Sequence, residues 1–357
     1  MRILIVATTQ TLPHAHEEIA QGNLHRIDYL DLAQRLETRY LDYSVARNNG
    51  RLMRTLESRL RLDLRQARYV AAYARHQHYD LVFSLSERVG IPLAYLLPRN
   101  VRHVVQVHHL LSAKKLRILK AGRVPQRWDG IIALSYAEAT ALKTALPALA
   151  DRIHCLLNPV DTSFFAPISA LTNPGEQPYI MSVGLSHRDY PTLVRALQLL
   201  PQIPGHLYLG SNWVSGSGAL GTAPLPVNVT THPYVPPQLL RERYGNSQFV
   251  VVPIQETSQW SAGCNAVLQA QAMGKPVIAT RTPGMSDYVL DGVTGMLVEP
   301  NNPRAMALAI QSLWNDPSKA TAMGQRARQW IQANFSLDTW LDEAATLVGA
   351  TRKPASA

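Results

Sequence analysis

The sequence is poor in several features that would narrow its function at once. It holds 2 cysteines in 357 residues. Cys155 and Cys264 lie far apart and belong to no metal-ligand spacing, which argues against a disulfide framework and predicts a reducing compartment. No apolar segment approaches the length needed to cross a bilayer. The apolar run at residues 3–7 is too short for a secretory signal, so we expect a cytoplasmic protein.

Positive charge is scarce in one half of the chain and abundant in the other. The formal net charge is +10, and residues 1–165 hold 23 Lys/Arg against 14 Asp/Glu, while the rest hold 12 against 11. We therefore expect the first half to meet any anionic surface. The sequence lacks an aromatic stacking motif and a recognised nucleic-acid module, so we expect no nucleic-acid partner.

One stretch, residues 248–300, organises the chain. Residues 249–252 form an unbroken apolar run typical of a buried strand. A polar loop comes next, and then a helical pattern that ends at Gly274, with a second apolar run at 277–279. The order predicts a strand–loop–helix–strand unit of a parallel sheet. The length predicts two such α/β domains.

The loop and helix start of such a unit lie at the carboxyl edge of the sheet, where ligands of open parallel sheets bind. Backbone N–H groups at residues 261–264 and the helix dipole favour an anion there, and Gly263 permits close approach. A phosphate is the ligand that we favour. A structural turn without a ligand is the alternative.

The same stretch resembles the donor-binding core of family-4-type glycosyltransferases of the GT-B fold (glycosyl transferases group 1). Their usual pattern is Glu, seven residues, Glu, and then Ala-Met-Ala-x-Gly-x-Pro-Val-Ile-Ala. QAQAMGKPVIAT at 269–280 matches the second half of this pattern, and TPGMSDYVLDGVTGMLVEPNNP at 282–303 matches the family's next segment. Ser261 and Gln269 stand at the two glutamate positions, so both carboxylates are missing.

The resemblance implies two Rossmann-like domains facing across a cleft, with a C-terminal helix crossing back to the first. IHCLLNPVDTSFFAP at 153–167 is similar to the family's interdomain linker, with Pro159 in place of glycine. We expect an acceptor domain at 1–166, a nucleotide-sugar donor domain at 167–334, and a crossover helix and tail at 335–357.

The resemblance also implies donor-binding residues. Gly184 and Ser186 would shape the turn after a strand, and the fork of Arg188 suits a diphosphate. The lysine that usually comes after this arginine is absent. Tyr234 and Val235 would border the nucleotide base, although packing is an equal explanation. The remaining implied donor residues are Ser261, Ala262, Gly263, Cys264, Asn265 and Gln269.

His108 and Glu256 are the candidate catalytic residues. In the resembled family the strand that here spans 102–108 often ends in a histidine close to the reacting sugar, and a neutral imidazole suits that role. A capping or core histidine is the alternative. Glu256 lies five residues before Ser261 and could replace the lost charge. The resemblance implies a reaction without a metal, which agrees with the lack of a predicted strand ending in Asp-x-Asp and of a third ligand beside His14 and His16.

Residues 50–77 predict one long helix with a basic face formed by Arg54, Arg61, Arg65 and Arg68. A second basic group, SAKKLRILK, lies at 112–120. These residues could bind an anionic membrane surface, which would make the protein peripheral on the inner face of a membrane. The alternative is a solvated face.

We therefore expect a retaining, metal-independent glycosyltransferase without a cofactor. It would move a sugar from a UDP- or GDP-sugar to a glycan, lipid-linked or small-molecule acceptor. A nucleotide-sugar epimerase of the same fold is one alternative. A non-catalytic nucleotide-sugar-binding protein is another, because both glutamates are missing.

Overall fold

The chain divides into two compact units. The computed structural model describes residues 1–46, 51–112, 115–117, 119, 124–168, 177–210, 220, 225–257 and 259–350. The first unit contains Met1–Glu17, Arg26–Leu157 and Asp338–Ala357, and the second contains Glu18–His25 and Asn158–Leu337. The main segment of the second unit begins at Asn158, whereas we expected the second domain to begin at residue 167.

The first unit is built on a six-stranded parallel sheet in the order β2-β1-β3-β4-β5-β6. Three of its strands, β1, β3 and β5, are apolar along their whole length or nearly so, as strands covered on both faces must be. The strands are β1 (Ile3–Val6), β2 (Arg39–Leu41), β3 (Leu81–Ser84), β4 (Arg102–Gln106), β5 (Gly130–Ala133) and β6 (Ile153–Cys155).

The second unit holds another six-stranded parallel sheet, in the order β12-β11-β10-β7-β8-β9. Its strands are β7 (Ile180–Val183), β8 (Gly205–Tyr208), β9 (Val229–His232), β10 (Val250–Val252), β11 (Val277–Thr280) and β12 (Gly295–Val298). The strand order reverses between β7 and β10. That reversal is the topological switch point at which open α/β sheets bind ligands.

Helices connect the strands of both sheets, which confirms the predicted α/β class with two Rossmann-like domains. The α-helices of the described residues are α1 (Ala15–Ala20), α2 (Asp28–Arg35), α3 (Arg51–Leu60), α4 (Leu64–His76), α5 (Glu87–Leu96), α6 (Tyr136–Ala145), α7 (Tyr190–Gln198), α8 (Pro237–Asn246), α9 (Cys264–Ala272), α10 (Pro303–Trp314), α11 (Pro317–Asn334) and α12 (Leu337–Ala350).

The last helix belongs to the first unit for nearly all its length. Arg26 pairs with Asp338 at 2.8 Å, and Arg35 pairs with Asp342. Trp340 on the same helix is buried. Exposed ion pairs contribute little stability on their own, so the buried apolar side chains of α12 supply most of the attachment.

The prediction of one helix at 50–77 was wrong. Gly50 lies outside the described residues, and the chain forms α3 and α4 with a break in which Arg61 takes a φ of 55°. The backbone N–H of Asp63 donates to the Arg88 carbonyl at 2.9 Å, and the Arg88 guanidinium donates to the Asp63 carboxylate at 2.8 Å. These tertiary contacts override the helical periodicity.

The predicted basic face is also smaller than expected. Arg65 donates to Glu57 at 2.6 Å, to the Ala46 carbonyl and to the Tyr43 hydroxyl, so it is an internal ion-pair residue. In the second basic group Lys115 is buried, while residues 114 and 120 lie outside the described part of the chain. Arg54, Arg61 and Arg68 remain exposed.

Helix α5 begins at Glu87, where the Ser86 hydroxyl accepts the Arg88 N–H, and Pro92 lies inside the helix. A 3₁₀ turn at Tyr43–Ala46 comes after β2.

Candidate functional site

The candidate site of the second unit is built from the turns that come after β7 and β10. Gly184 leaves β7 with a φ of 101°, and Asp189 caps α7 by accepting the Thr192 N–H. Between them the chain pairs with the loop after β10: the Gln255 N–H donates to the His187 carbonyl at 2.9 Å, and the Asp189 N–H donates to the Pro253 carbonyl at 3.1 Å. Hydrogen bonds thus join the two turns that flank the switch point.

Arg188 lies in the turn after β7 and is only 8% exposed. Its Nε donates to the Val183 carbonyl at 3.0 Å and its Nη1 to the Ser186 carbonyl at 3.3 Å. Burial lowers the pKa of the Arg188 guanidinium from its usual value. Among the described residues no carboxylate lies within ion-pair distance of it. Carbonyl dipoles therefore satisfy the guanidinium without neutralising it.

Two glycines make room for this guanidinium. A Cβ on Gly184 would lie 2.6 Å from Nη2 of Arg188, and a Cβ on Gly263 would lie 3.3 Å from Nη1. Gly263 has a φ of 86° and is the N-cap of α9. The helix start therefore has no side-chain cap and lies beside a buried positive charge, an arrangement that suits an anion.

The predicted set of free N–H groups at this helix start was partly wrong. The Ala262 N–H donates to the Gln259 carbonyl at 3.0 Å, and the Cys264 N–H donates to the Ser261 carbonyl at 3.2 Å. A tight turn before α9 occupies both donors. Ser261 is buried at this turn, whereas Asn265 is exposed.

Cys264 has no nucleophilic character. Burial raises the pKa of its thiol to about 11, although the Asn158 amide donates to its sulfur at 2.9 Å. A neutral thiol is a poor nucleophile. Cys264 therefore packs beneath the helix start as a small apolar group.

Gln269, which we expected at the position of the family's second glutamate, is held by a residue that sequence reasoning missed. The hydroxyl of Tyr244 donates to Oε1 of Gln269 at 3.2 Å. Tyr244 is fully buried, and burial raises its pKa above the usual range for tyrosine. Tyr244 uses one of the two lone pairs of this oxygen, so the second lone pair and the Nε2 donors of Gln269 are the groups left for a ligand.

The other predicted donor residues are not joined to this centre by a described contact. The backbone of Tyr234 passes close over Gly210, since a Cβ there would lie 2.1 Å from the Cα of Tyr234. The Tyr234 side chain is exposed, Val235 is half-buried, and Glu256 is exposed in the loop after β10.

His108 lies just after β4 in the first unit and is held at two points. Its backbone N–H donates to Glu87 at 2.9 Å, and its Nε2 lies 2.9 Å from the Leu85 carbonyl. A carbonyl oxygen only accepts, so Nε2 carries the proton and Nδ1 is the basic atom of the neutral ring. A fixed basic nitrogen suits a hydrogen bond from a sugar hydroxyl.

Glu87, which holds His108, has a second buried carboxyl group, Glu138, as a neighbour. Glu87 pairs with Lys115 at 2.5 Å. The Leu134 N–H lies 3.4 Å from Oε2 of Glu138, and Oε1 of Glu138 has no partner among the described residues. Burial, with repulsion from Glu87, raises the pKa of Glu138 to about 7. Sequence reasoning did not single out Glu138.

Other features of the described residues bear on cofactors and membranes. They contain no group of three or more His, Cys, Asp or Glu side chains that could hold a metal ion. None of their helices is both long and apolar enough to span a bilayer. A cavity of about 570 Å³ lies at the amino ends of β7, β10 and β11, on the edge opposite the Arg188 turns.

Known proteins match both halves of the chain. The family model described as Glycosyltransferase Family 4 matches residues 21–164, and the one described as Glycosyl transferases group 1 matches residues 221–330. The chain is 28% identical over 285 residues to a D-inositol 3-phosphate glycosyltransferase of Arthrobacter sp. strain FB24, covering 71% of this chain and 66% of that protein, slightly under two thirds. It is 37% identical over 86 residues to a GDP-mannose-dependent alpha-(1-6)-phosphatidylinositol monomannoside mannosyltransferase of Mycolicibacterium smegmatis, covering 24% and 22% of the two chains.

Solved structures agree on the fold. A sucrose-phosphate synthase of Thermosynechococcus elongatus superposes with a TM-score of 0.74 at 19% identity, covering 98% of this chain and 99% of that one. Anabaena HepE in complex with UDP-glucose superposes with a TM-score of 0.73 at 17% identity, covering 98% and 100%. The two family models place the chain among the family-4-type glycosyltransferases, and the solved structures show that its fold is GT-B.

Proposed function

We propose that this protein transfers a sugar from a nucleotide-activated donor to a glycan, lipid-linked or small-molecule acceptor. The observation that carries the proposal is the buried Arg188, unpaired with any carboxylate of the described residues and set beside the uncapped start of α9. A buried cation of this kind calls for an anionic ligand. The UDP-glucose bound to HepE supports a UDP- or GDP-sugar as that ligand.

The chemistry depends on where charge develops. As the glycosidic bond to the diphosphate breaks, negative charge grows on the leaving oxygen, and Arg188 with the helix start stabilises it. This is the task that a metal ion performs in other transferases, so we propose a metal-independent reaction. His108 accepts a hydrogen bond from a sugar hydroxyl through Nδ1. Retention of anomeric configuration is proposed from the family alone.

Product formation tests the proposal. The protein is incubated with a panel of UDP- and GDP-sugars and with acceptors that include inositol phosphates, cellular lipids and glycans. We expect release of nucleoside diphosphate that depends on an acceptor, that persists in EDTA, and that gives a product with the donor's anomeric configuration by NMR. Inversion would refute retention, and loss of activity in EDTA would refute metal independence.

Glu256 has a separate test. We propose that its carboxylate replaces the charge lost at Ser261 and Gln269. Glu256→Gln should then lower turnover with little change in nucleotide affinity, because the group acts on the sugar and not on the diphosphate. Normal turnover in this variant would remove Glu256 from the catalytic set.

A second candidate function is nucleotide-sugar binding without catalysis. The engagement of Gln269 by Tyr244, together with a serine at the other glutamate position, favours it. A binder of this kind would bind nucleotide in calorimetry yet release no diphosphate with any donor and acceptor of the panel.

We also propose that the first unit binds an anionic membrane surface through the exposed part of α3 and α4. Leu56 on α3 is 43% exposed, and Arg54, Arg61 and Arg68 are exposed nearby in sequence. Each basic residue near such a surface contributes about 1 kcal/mol. Changing the three arginines to Gln should abolish salt-sensitive sedimentation with phosphatidylserine vesicles, whereas Arg304→Gln on the second unit should not.

A further inference from the structure

The cluster around Glu87 has a role in the first unit that the donor-side chemistry does not explain. Glu87 is the first residue of α5 and is only 2% exposed. Its two oxygens serve different partners: Oε2 accepts the backbone N–H of His108 at 2.9 Å, and Oε1 accepts the ammonium of Lys115 at 2.5 Å. One buried carboxylate thus joins a cation to the backbone of His108.

The ring of His108 is fixed by the same turn. Its Nε2–H donates to the carbonyl of Leu85, two residues before Glu87. Backbone and ring are therefore both held by the segment between β3 and α5. If the backbone bond to Glu87 were lost, the ring could leave Leu85, and the neutral imidazole would no longer be restricted to one tautomer.

Lys115 helps to keep Glu87 ionised, so that both carboxylate oxygens accept hydrogen bonds. Burial alone would raise the pKa of Glu87, but the charge of Lys115, the nearby His108 ring and the hydrogen bonds from Lys115 and the His108 N–H hold it below its usual value. An ionised carboxylate accepts on both oxygens, whereas a protonated one carries a donor. Glu138 is a second buried carboxyl beside the pair. Lys115 is therefore a cation that lies close to both carboxyl groups, Glu87 and Glu138.

We propose that Lys115 and Glu87 are positioning residues that hold His108 in the Nε2–H tautomer with Nδ1 presented as an acceptor. Lys115 acts through Glu87, and neither residue needs to touch substrate. Only the expected change in turnover rests on the proposed function. The state of the His108 ring can be measured without any reaction.

The experiment uses the full chain and three variants. Lys115→Met removes the positive charge, and Lys115→Arg keeps it. Glu138→Gln changes the neighbouring carboxyl and leaves the ion pair of Lys115 with Glu87 intact. The readouts are kcat, KM for the donor, and ring ¹⁵N chemical shifts of His108, assigned by the signal that His108→Gln loses. These shifts report which ring nitrogen carries the proton.

We expect Lys115→Met to lower kcat roughly 10- to 100-fold, the loss that a misplacement of about 1 Å causes, with donor KM unchanged. Its His108 signals should change from one Nε2–H tautomer to a mixture. Lys115→Arg and Glu138→Gln should keep the single tautomer. A folded Lys115→Met variant with wild-type kcat and one Nε2–H tautomer would overturn the proposal.

Removal of Lys115 alone leaves a buried unpaired charge, which can prevent folding. In that case the double variant Glu87→Met/Lys115→Met is measured, because replacing a buried pair by apolar groups is often neutral for stability. It also lacks the acceptor for the His108 N–H. Mixed tautomers support the proposal, and a single Nε2–H tautomer refutes it. If His108→Gln leaves turnover unchanged, the catalytic role of His108 fails while the tautomer measurement still decides the positioning role.

Discussion

The two sheets differ in the charged side chains that lie at the carboxyl ends of their strands. In the first unit two buried carboxyl groups, Glu87 and Glu138, are set beside Lys115 and a histidine. In the second unit one buried guanidinium, Arg188, is surrounded by carbonyls and glycines. One edge largely balances its charges internally, and the other leaves a positive charge for a ligand.

The difference shows which partner each edge needs. An internally paired cluster can hold the His108 ring in place, and the charge of its Glu138 carboxyl can change with pH. A lone guanidinium stays charged at any pH that the protein meets. The first edge should therefore respond to protons, and the second to anions.

The largest expected effect concerns protons at the first edge. Glu138 has a folded pKa of about 7 against an ordinary value of 4.5. Below pH 4.5 the carboxyl is protonated in both states. Between pH 4.5 and pH 7 the carboxyl is ionised in the unfolded chain but still protonated in the folded protein. The free energy of unfolding therefore falls as the pH rises through this range, by roughly 3 kcal/mol in total.

Glu138→Gln should remove this decline. Urea unfolding of the wild type and the variant across this range measures it, with the exposed Glu343→Gln as the matched control. Parallel pH profiles for the wild type and Glu138→Gln would mean that Glu138 is ionised in the folded protein.

The next effect concerns anions at the second edge. Arg188→Ala should weaken binding of UDP or GDP by about 1.5–3 kcal/mol, the range for a charged hydrogen bond. Calorimetry measures the affinity, and Arg195→Ala removes an exposed arginine from the neighbouring helix α7 as a control. Unchanged affinity in a folded Arg188 variant would separate this edge from the diphosphate.

A finer test keeps Arg188 and changes only its surroundings. Gly184→Ala would place a Cβ 2.6 Å from the guanidinium, whereas Gly292→Ala meets nothing within 4 Å, although both positions have positive φ. Both variants should be strained, but only Gly184→Ala should weaken nucleotide binding, by no more than Arg188→Ala does. Equal affinities would mean that the position of the guanidinium is not critical.

The smallest effect is expected at Gln269. Its Nε2 can donate to a ribose oxygen, and loss of one such neutral bond costs about 0.5–1.5 kcal/mol. Gln269→Ala should weaken nucleotide binding by this amount in calorimetry, and Gln325→Ala, at the opposite edge of the unit, should have no effect. A larger loss at Gln325 than at Gln269 would contradict the placement of the donor.

The sequence was sufficient for features that depend on local order. Apolar runs and a stop at Gly274 predicted the parallel strands and α9, whereas two of the N–H groups expected to be free at the start of α9 are occupied. The contacts that define each edge join residues far apart: Tyr244 with Gln269, Lys115 with Glu87, and Arg88 with Asp63. Periodicity contains no information about such pairs. The same limit explains why Arg65 was assigned to a basic face although Glu57 holds it inside.

If the donor diphosphate binds at Arg188 as proposed, ligand supply is coupled to folding. The folded protein holds a desolvated cation, and a nucleotide that binds only the folded state stabilises it. A nucleotide at 100 times its dissociation constant adds about 2.7 kcal/mol. The lifetime of this protein in a cell would then track the concentration of the proposed nucleotide sugar, so that a shortage of donor would lower the amount of protein as well as its rate of turnover.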